Sequence, residues 1–146
     1  MTEETKRIET EEEIKSYLQN LKYALSNNAE IIFQISRESD RLRNYEYSNK
    51  YTIGELFPND DPVVILKEEL EKLDVKDYIE TVKDIRFPKR EEMRVFAKGY
   101  EGFKDVYIKI RVELVNKYSF GSHTIFVMSF HFAKYKLKKE DFPYWK

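Results

Sequence analysis

Residues 104–116 read KDVYIKIRVELVN, and the alternation along that stretch decides the fold. Val106, Ile108, Ile110, Val112 and Leu114 share one side of an extended chain, while Tyr107, Lys109, Arg111 and Glu113 share the other, as the two-residue period of a strand requires. One face of this strand is core and the other meets water. Residues 123–135, HTIFVMSFHFAKY, read as a second strand of this kind and residues 92–100 as a third, with turns at Glu101-Gly102 and over 117–122. The last part of the chain is therefore expected to form antiparallel sheet.

Upstream, the signals change. Thr10 followed by Glu13 matches a capping box, and Ile14, Leu18, Leu21 and Leu25 recur at helical spacing, which predicts a helix over 11–26 that Asn27-Asn28 ends. Residues 30–37, with Ile31, Phe33 and Ile35 on one side, read as a strand. The segment 37–51 interleaves Arg41, Arg43, Tyr45, Tyr47, Lys50 and Tyr51, a mixture suited to stacking on single-stranded nucleic acid, to a protein-docking arm or to an edge strand. Asp61-Pro62 supplies a cap and a first helical position for a helix over 63–72. Val75, Tyr78, Ile79 and Val82 predict another helix over 74–82. Helices first and strands last give an α+β domain, with the N-terminal helices packed on one face of an antiparallel sheet.

Composition narrows the function. The chain has 146 residues, the size of one domain, and its 22 aromatic side chains (11 Tyr, 10 Phe, 1 Trp) suffice for a sizeable core, which excludes intrinsic disorder. Without an apolar run of roughly 18 residues, no membrane span is expected, and without a basic and apolar leader the expected compartment is the cytoplasm. The absence of Cys excludes disulfides, thiolate catalysis and cysteine-based metal sites. His123 and His131 lack ligand spacing, and four glycines offer no phosphate-cradling loop, so neither a metal nor a nucleotide cofactor is expected. The net charge of −1 divides unevenly. Residues 1–82 carry 19 acidic and 11 basic side chains (net −8), and residues 83–146 carry 8 and 15 (net +7). A basic sheet can gather a polyanion, and the two halves can equally attract each other within one fold.

Register then predicts which polar residues meet. A hairpin centred on Ser119 sets Tyr107 opposite His131, Lys109 opposite Ser129 and Arg111 opposite Val127. A two-residue loop at Glu101-Gly102 sets Arg94 opposite Lys109 and Phe96 opposite Tyr107, with Lys98 on the same face. The expected patch is Arg94, Lys98, Tyr107, Lys109, Arg111 and His131, with Phe96 available for stacking. Such a set can move protons and stabilise a phosphorane, as metal-free RNA cleavage demands; the same residues also suit an ordinary solvated sheet face.

Residues 105–112, DVYIKIRV, followed by residues 125–131, IFVMSFH, resemble the final hairpin of MqsR-type toxins, which are small RelE-like mRNA interferases. Residues 76–80, KDYIE, and residues 94–98, RVFAK, stand in the expected order upstream, so the resemblance spans roughly residues 75–135. It implies a RelE-like fold and a toxin–antitoxin or mobile-element context. It also implies Tyr107 and His131 as catalytic residues, single-stranded mRNA as substrate and an antitoxin as protein partner. Ile79 or Glu80 stands where the family carries a basic residue. A non-catalytic protein- or RNA-binding module on the same fold, borne by a phage or mobile element, is the competing expectation.

Overall fold

The capping box forms as its residues require. In the computed structural model, which describes residues 4–35, 45–114 and 123–145, Thr10 Oγ1 accepts from the Glu13 N–H at 3.1 Å and the Glu13 carboxylate accepts from the Thr10 N–H at 3.0 Å. After a short strand β1 (Glu4–Arg7) comes helix α1 (Glu11–Ser26), whose Ile14, Leu18, Leu21 and Leu25 are buried. Asn28 closes α1 in the left-handed region, φ 59°, which asparagine tolerates better than most residues. Strand β2 (Glu30–Phe33) follows directly. Helix α2 (Asn49–Leu56) and helix α3 (Pro62–Glu71) come next. Asp61 Oδ1 accepts from the Val63 and Val64 N–H groups at 2.9 and 3.2 Å, the expected cap of α3. Strands β3 (Tyr78–Asp84), β4 (Met93–Lys98), β5 (Val106–Glu113) and β6 (Thr124–Phe132) follow.

These elements form an α+β domain with one six-stranded sheet in the order β1-β3-β4-β5-β6-β2. The sheet is mixed. β2 runs parallel to β6 at one edge, where an all-antiparallel sheet was expected, and every other pair is antiparallel. One face carries the apolar side of β5 and β6 (Ile108, Ile110, Ile125, Val127, Phe130) against α1, and α3 packs beside α1 through Leu66 and Leu70. Burial in β5 alternates residue by residue, with Val106, Ile108, Ile110 and Val112 buried and Tyr107, Lys109 and Arg111 half-buried, whereas Leu114, expected on the buried side, lies past the end of the strand and is exposed. No helix among the described residues is long and apolar enough to cross a membrane.

Three expectations need correction. Residues 74–82 are not a helix: one 3₁₀ turn (Val75–Asp77) leads straight into β3. A register shift between Tyr78 and Glu80 breaks the strand period, so the buried positions Tyr78, Thr81 and Val82 fall at three- and four-residue intervals and imitate a helix. The segment 37–51 is not an extended arm throughout, since Tyr45–Tyr47 form a 3₁₀ turn and Asn49 begins α2; Arg37, Arg41 and Arg43 lie outside the described residues. The loop joining β4 and β5 is longer than two residues, spanning 99–105 with Gly102 at φ 81°, a left-handed conformation that glycine adopts without strain.

Helix α2 owes its place to side chains. β2 accompanies β6 only as far as Val127, and beyond that point Asn49 takes over: its Oδ1 accepts from the Phe130 N–H at 2.9 Å and its Nδ2 donates to the Met128 carbonyl at 3.0 Å. Thr52 Oγ1 accepts from the Phe132 N–H at 2.9 Å. Both side chains are buried, and they satisfy backbone groups that would otherwise lose water without gaining a partner.

Candidate functional site

β5 and β6 place the predicted pair side by side. Tyr107 and His131 are direct cross-strand partners on the face that α1 does not cover, with ring centroids 5.4 Å apart and planes inclined by 21°, a stacked arrangement. Lys109 is opposite Ser129, also as expected. A register shift after Lys109 then moves the pairing by one residue, so Arg111 meets Phe126 rather than Val127, and its guanidinium lies over the Phe126 ring at 4.2 Å.

The two rings line a cleft of about 410 Å³ together with Glu4, Lys109, Ser129 and Lys134. His131 is 8% exposed, and its Nδ1 lies 3.1 Å from the Phe132 carbonyl oxygen. A carbonyl only accepts, so Nδ1 is the donor in that bond and a neutral ring carries its acceptor lone pair on Nε2. Lys109 Nζ donates to Glu4 Oε1 at 3.0 Å, and Arg111 Nε stands 3.2 Å from Glu113 Oε1. The cleft therefore offers a tyrosine ring stacked on an imidazole, an ammonium tied to a carboxylate, and a second ammonium, Lys134, at its rim. Among the described residues, no group of three or more His, Asp or Glu side chains converges as metal ligands would.

Arg94, Lys98 and Phe96 do not join this cleft. β4 pairs with β5 one residue out of the expected register: Arg94 is opposite Ile110, Phe96 opposite Ile108 and Lys98 opposite Val106, which turns all three toward the helical side. Phe96 is wholly buried in the core, edge-on to Tyr78 at 5.9 Å. Arg94 makes a forked ion pair with Glu9, Nε to Oε2 and Nη2 to Oε1 both at 2.9 Å, and lies over the Tyr17 ring at 4.4 Å. Burial pushes the Glu9 carboxyl up, but hydrogen bonds from Arg94 and Thr81 and the charges of Arg94 and Arg7 outweigh it and hold the group below its ordinary value. Lys98 donates to the Lys72 carbonyl at 3.1 Å and stands 3.7 Å from Asp77.

Several cleft residues escaped the sequence reading. Glu4 sits on β1, whose residues ETKR show no apolar alternation. Lys134, Tyr135 and Leu137 belong to the segment after β6, where the run 134–139, KYKLKK, is the signal that could have found them. Tyr47 does come from the aromatic and basic segment singled out for nucleic-acid contact, and Lys104 Nζ lies 4.9 Å from its ring centre. No protein-family model matches the chain, and neither a curated protein nor a solved structure matches it.

Proposed function

We propose that the cleft around Tyr107 and His131 is the site of a metal-independent endoribonuclease, a RelE-like toxin that cuts single-stranded mRNA in the cytoplasm and is held in check by an antitoxin. The observation that carries this reading is the stacked Tyr107–His131 pair in an open cleft with lysines beside it. His131 Nε2 takes the proton from the ribose 2′-hydroxyl as that oxygen bonds to phosphorus. The bond from phosphorus to the 5′-oxygen breaks, and the Tyr107 hydroxyl gives that oxygen its proton. A 2′,3′-cyclic phosphate and a 5′-hydroxyl end result. Lys109 and Lys134 stabilise the charge that collects on the phosphate oxygens.

The test is end-labelled single-stranded RNA incubated with the protein in EDTA. Cyclic phosphate ends are expected, with cleavage falling by about 10²- to 10⁴-fold in His131→Asn and in Tyr107→Phe, each of which removes one proton-transfer group. Intact RNA, or cutting by both variants as fast as by the parent chain, ends the proposal. Growth arrest on expression, relieved by the product of a neighbouring gene, tests the antitoxin.

One observation favours a second reading, a non-catalytic protein- or RNA-binding module on the same fold, borne by a phage or other mobile element. Lys109 and Arg111 each stand beside a carboxylate, Glu4 or Glu113, which weakens the positive field of the cleft. Under this reading RNA is bound with a steep salt dependence, or not at all, and never cut.

A further inference from the structure

The segment after β6 does not trail away. Its Tyr144 ring stacks on Tyr78 with centroids 6.2 Å apart, and the Tyr144 hydroxyl donates to the Glu9 carbonyl. This anchor brings Phe142 and Trp145 beside the end of β4, where they wall a second cleft of about 430 Å³. Their rings lie 5.5 Å apart at 48°, and Trp145 remains 46% exposed. The rest of the lining is strongly basic, with Lys76, Lys98, Lys138 and Lys139 set against Asp77 and Asp105. Lys98 is occupied by Asp77 and the Lys72 carbonyl. Among the described residues, Lys76, Lys138 and Lys139 form no ion pair.

An exposed indole flanked by unpaired ammonium groups is the composition of a single-stranded nucleic-acid site: the aromatic face takes a base, and the cations take the phosphates on either side. The second cleft also adjoins the first. Leu137 lines both, and Ala97 in the second is the cross-strand partner of Tyr107 in the first. We propose that this cleft is a nucleotide subsite for single-stranded RNA, in which a base stacks on Trp145 and Phe142 while Lys76, Lys138 and Lys139 hold the adjoining phosphates. The choice of RNA rests on the reading of the Tyr107–His131 cleft, from which one strand continues into the subsite past Leu137.

Trp145 is the chain's one tryptophan, so its fluorescence reports on the subsite alone. The full chain is titrated with a short 2′-O-methyl oligoadenylate, which lacks the nucleophilic hydroxyl and stays intact. Saturable quenching is expected, with affinity falling as salt rises. Lys138→Gln and Lys139→Gln should each flatten the slope of log affinity against log salt by about 0.7. Trp145→Ala, followed by anisotropy of the labelled oligonucleotide, should bind about 5- to 150-fold more weakly, and Trp145→Phe should recover most of the loss. Cleavage of natural RNA with Trp145 fluorescence unmoved and both lysine variants neutral overturns the subsite and leaves the nuclease reading standing. Quenching by the methylated strand, with natural RNA left uncut, does the reverse. Absence of both quenching and binding overturns the subsite.

Discussion

Arg94 and Arg111 carry the same guanidinium on neighbouring strands of one sheet, yet they do opposite things. Arg94 points to the helical side and is locked by Glu9 and Tyr17, whereas Arg111 points to the other side and lies across Phe126. A one-residue difference in register separates the two fates, because strand side chains alternate with period two. Residue type alone therefore does not distinguish a cation that holds the fold from one that can meet a ligand. The partners differ: Glu9 is buried and commits Arg94 to the fold, whereas Glu113, 3.2 Å from Arg111, is 47% exposed and keeps its contact with water.

The sharpest way to break this contrast is Phe96→Ala. Facing the core, this residue should cost about 3 to 5 kcal/mol of stability, read from urea unfolding. A stable variant with weakened RNA binding would place β4 in the other register. Next, Arg94→Met strands the Glu9 carboxylate and should cost roughly 3 kcal/mol, since breaking a largely buried pair leaves an uncompensated charge. The pair also fixes a pH dependence. Glu9 titrates lower in the folded chain than its ordinary value of 4.5, so its stabilising contribution is present above that value and is lost as pH falls through the folded one. Glu9→Gln should remove this part of the acid limb when urea midpoints are compared across pH. Glu92, held low by the Arg7 guanidinium, adds to the same limb, while burial raises Asp77 and makes it act in the opposite sense. The smallest effect belongs to Lys109→Met on the uncovered face. It should change stability by no more than about 1 kcal/mol while lowering RNA cleavage, because the Glu4 carboxylate left behind is 35% exposed and regains water, and a larger loss of stability would make Lys109 a structural residue like Arg94.

Much of this was legible from local patterns. The caps at Thr10 and Asp61 depend on a few adjacent residues, and both form; the Tyr107–His131 pairing followed from the hydrophobic alternation of two strands. What failed depended on information the pattern does not carry. The β4–β5 register turned on the loop, which runs over 99–105, and a shift of one residue in the pairing sent Arg94, Phe96 and Lys98 to the other face. β3 read as a helix because its irregularity spaced the buried residues like one. β1 is entirely polar and is defined by its pairing with β3 and by ion pairs such as Arg7–Glu92, at 2.6 Å, rather than by a buried stripe. α2 contains Thr52 and Gly54, both poor helix formers, and is held by its docking on β6. The cleft was half legible for the same reason: its cross-strand centre is local, and its rim, from Glu4 to Lys134, is brought in by the fold.

Asn49 and Thr52 have one more consequence. Where β2 stops, the margin of β6 would present bare amides and carbonyls to any passing chain, and such margins template fibrils. The side chains from α2 occupy those groups in advance, as a short plug that no neighbouring molecule can extend. Replacing Asn49 by leucine would reopen the margin, and self-association on concentration would then betray what the amide had been preventing.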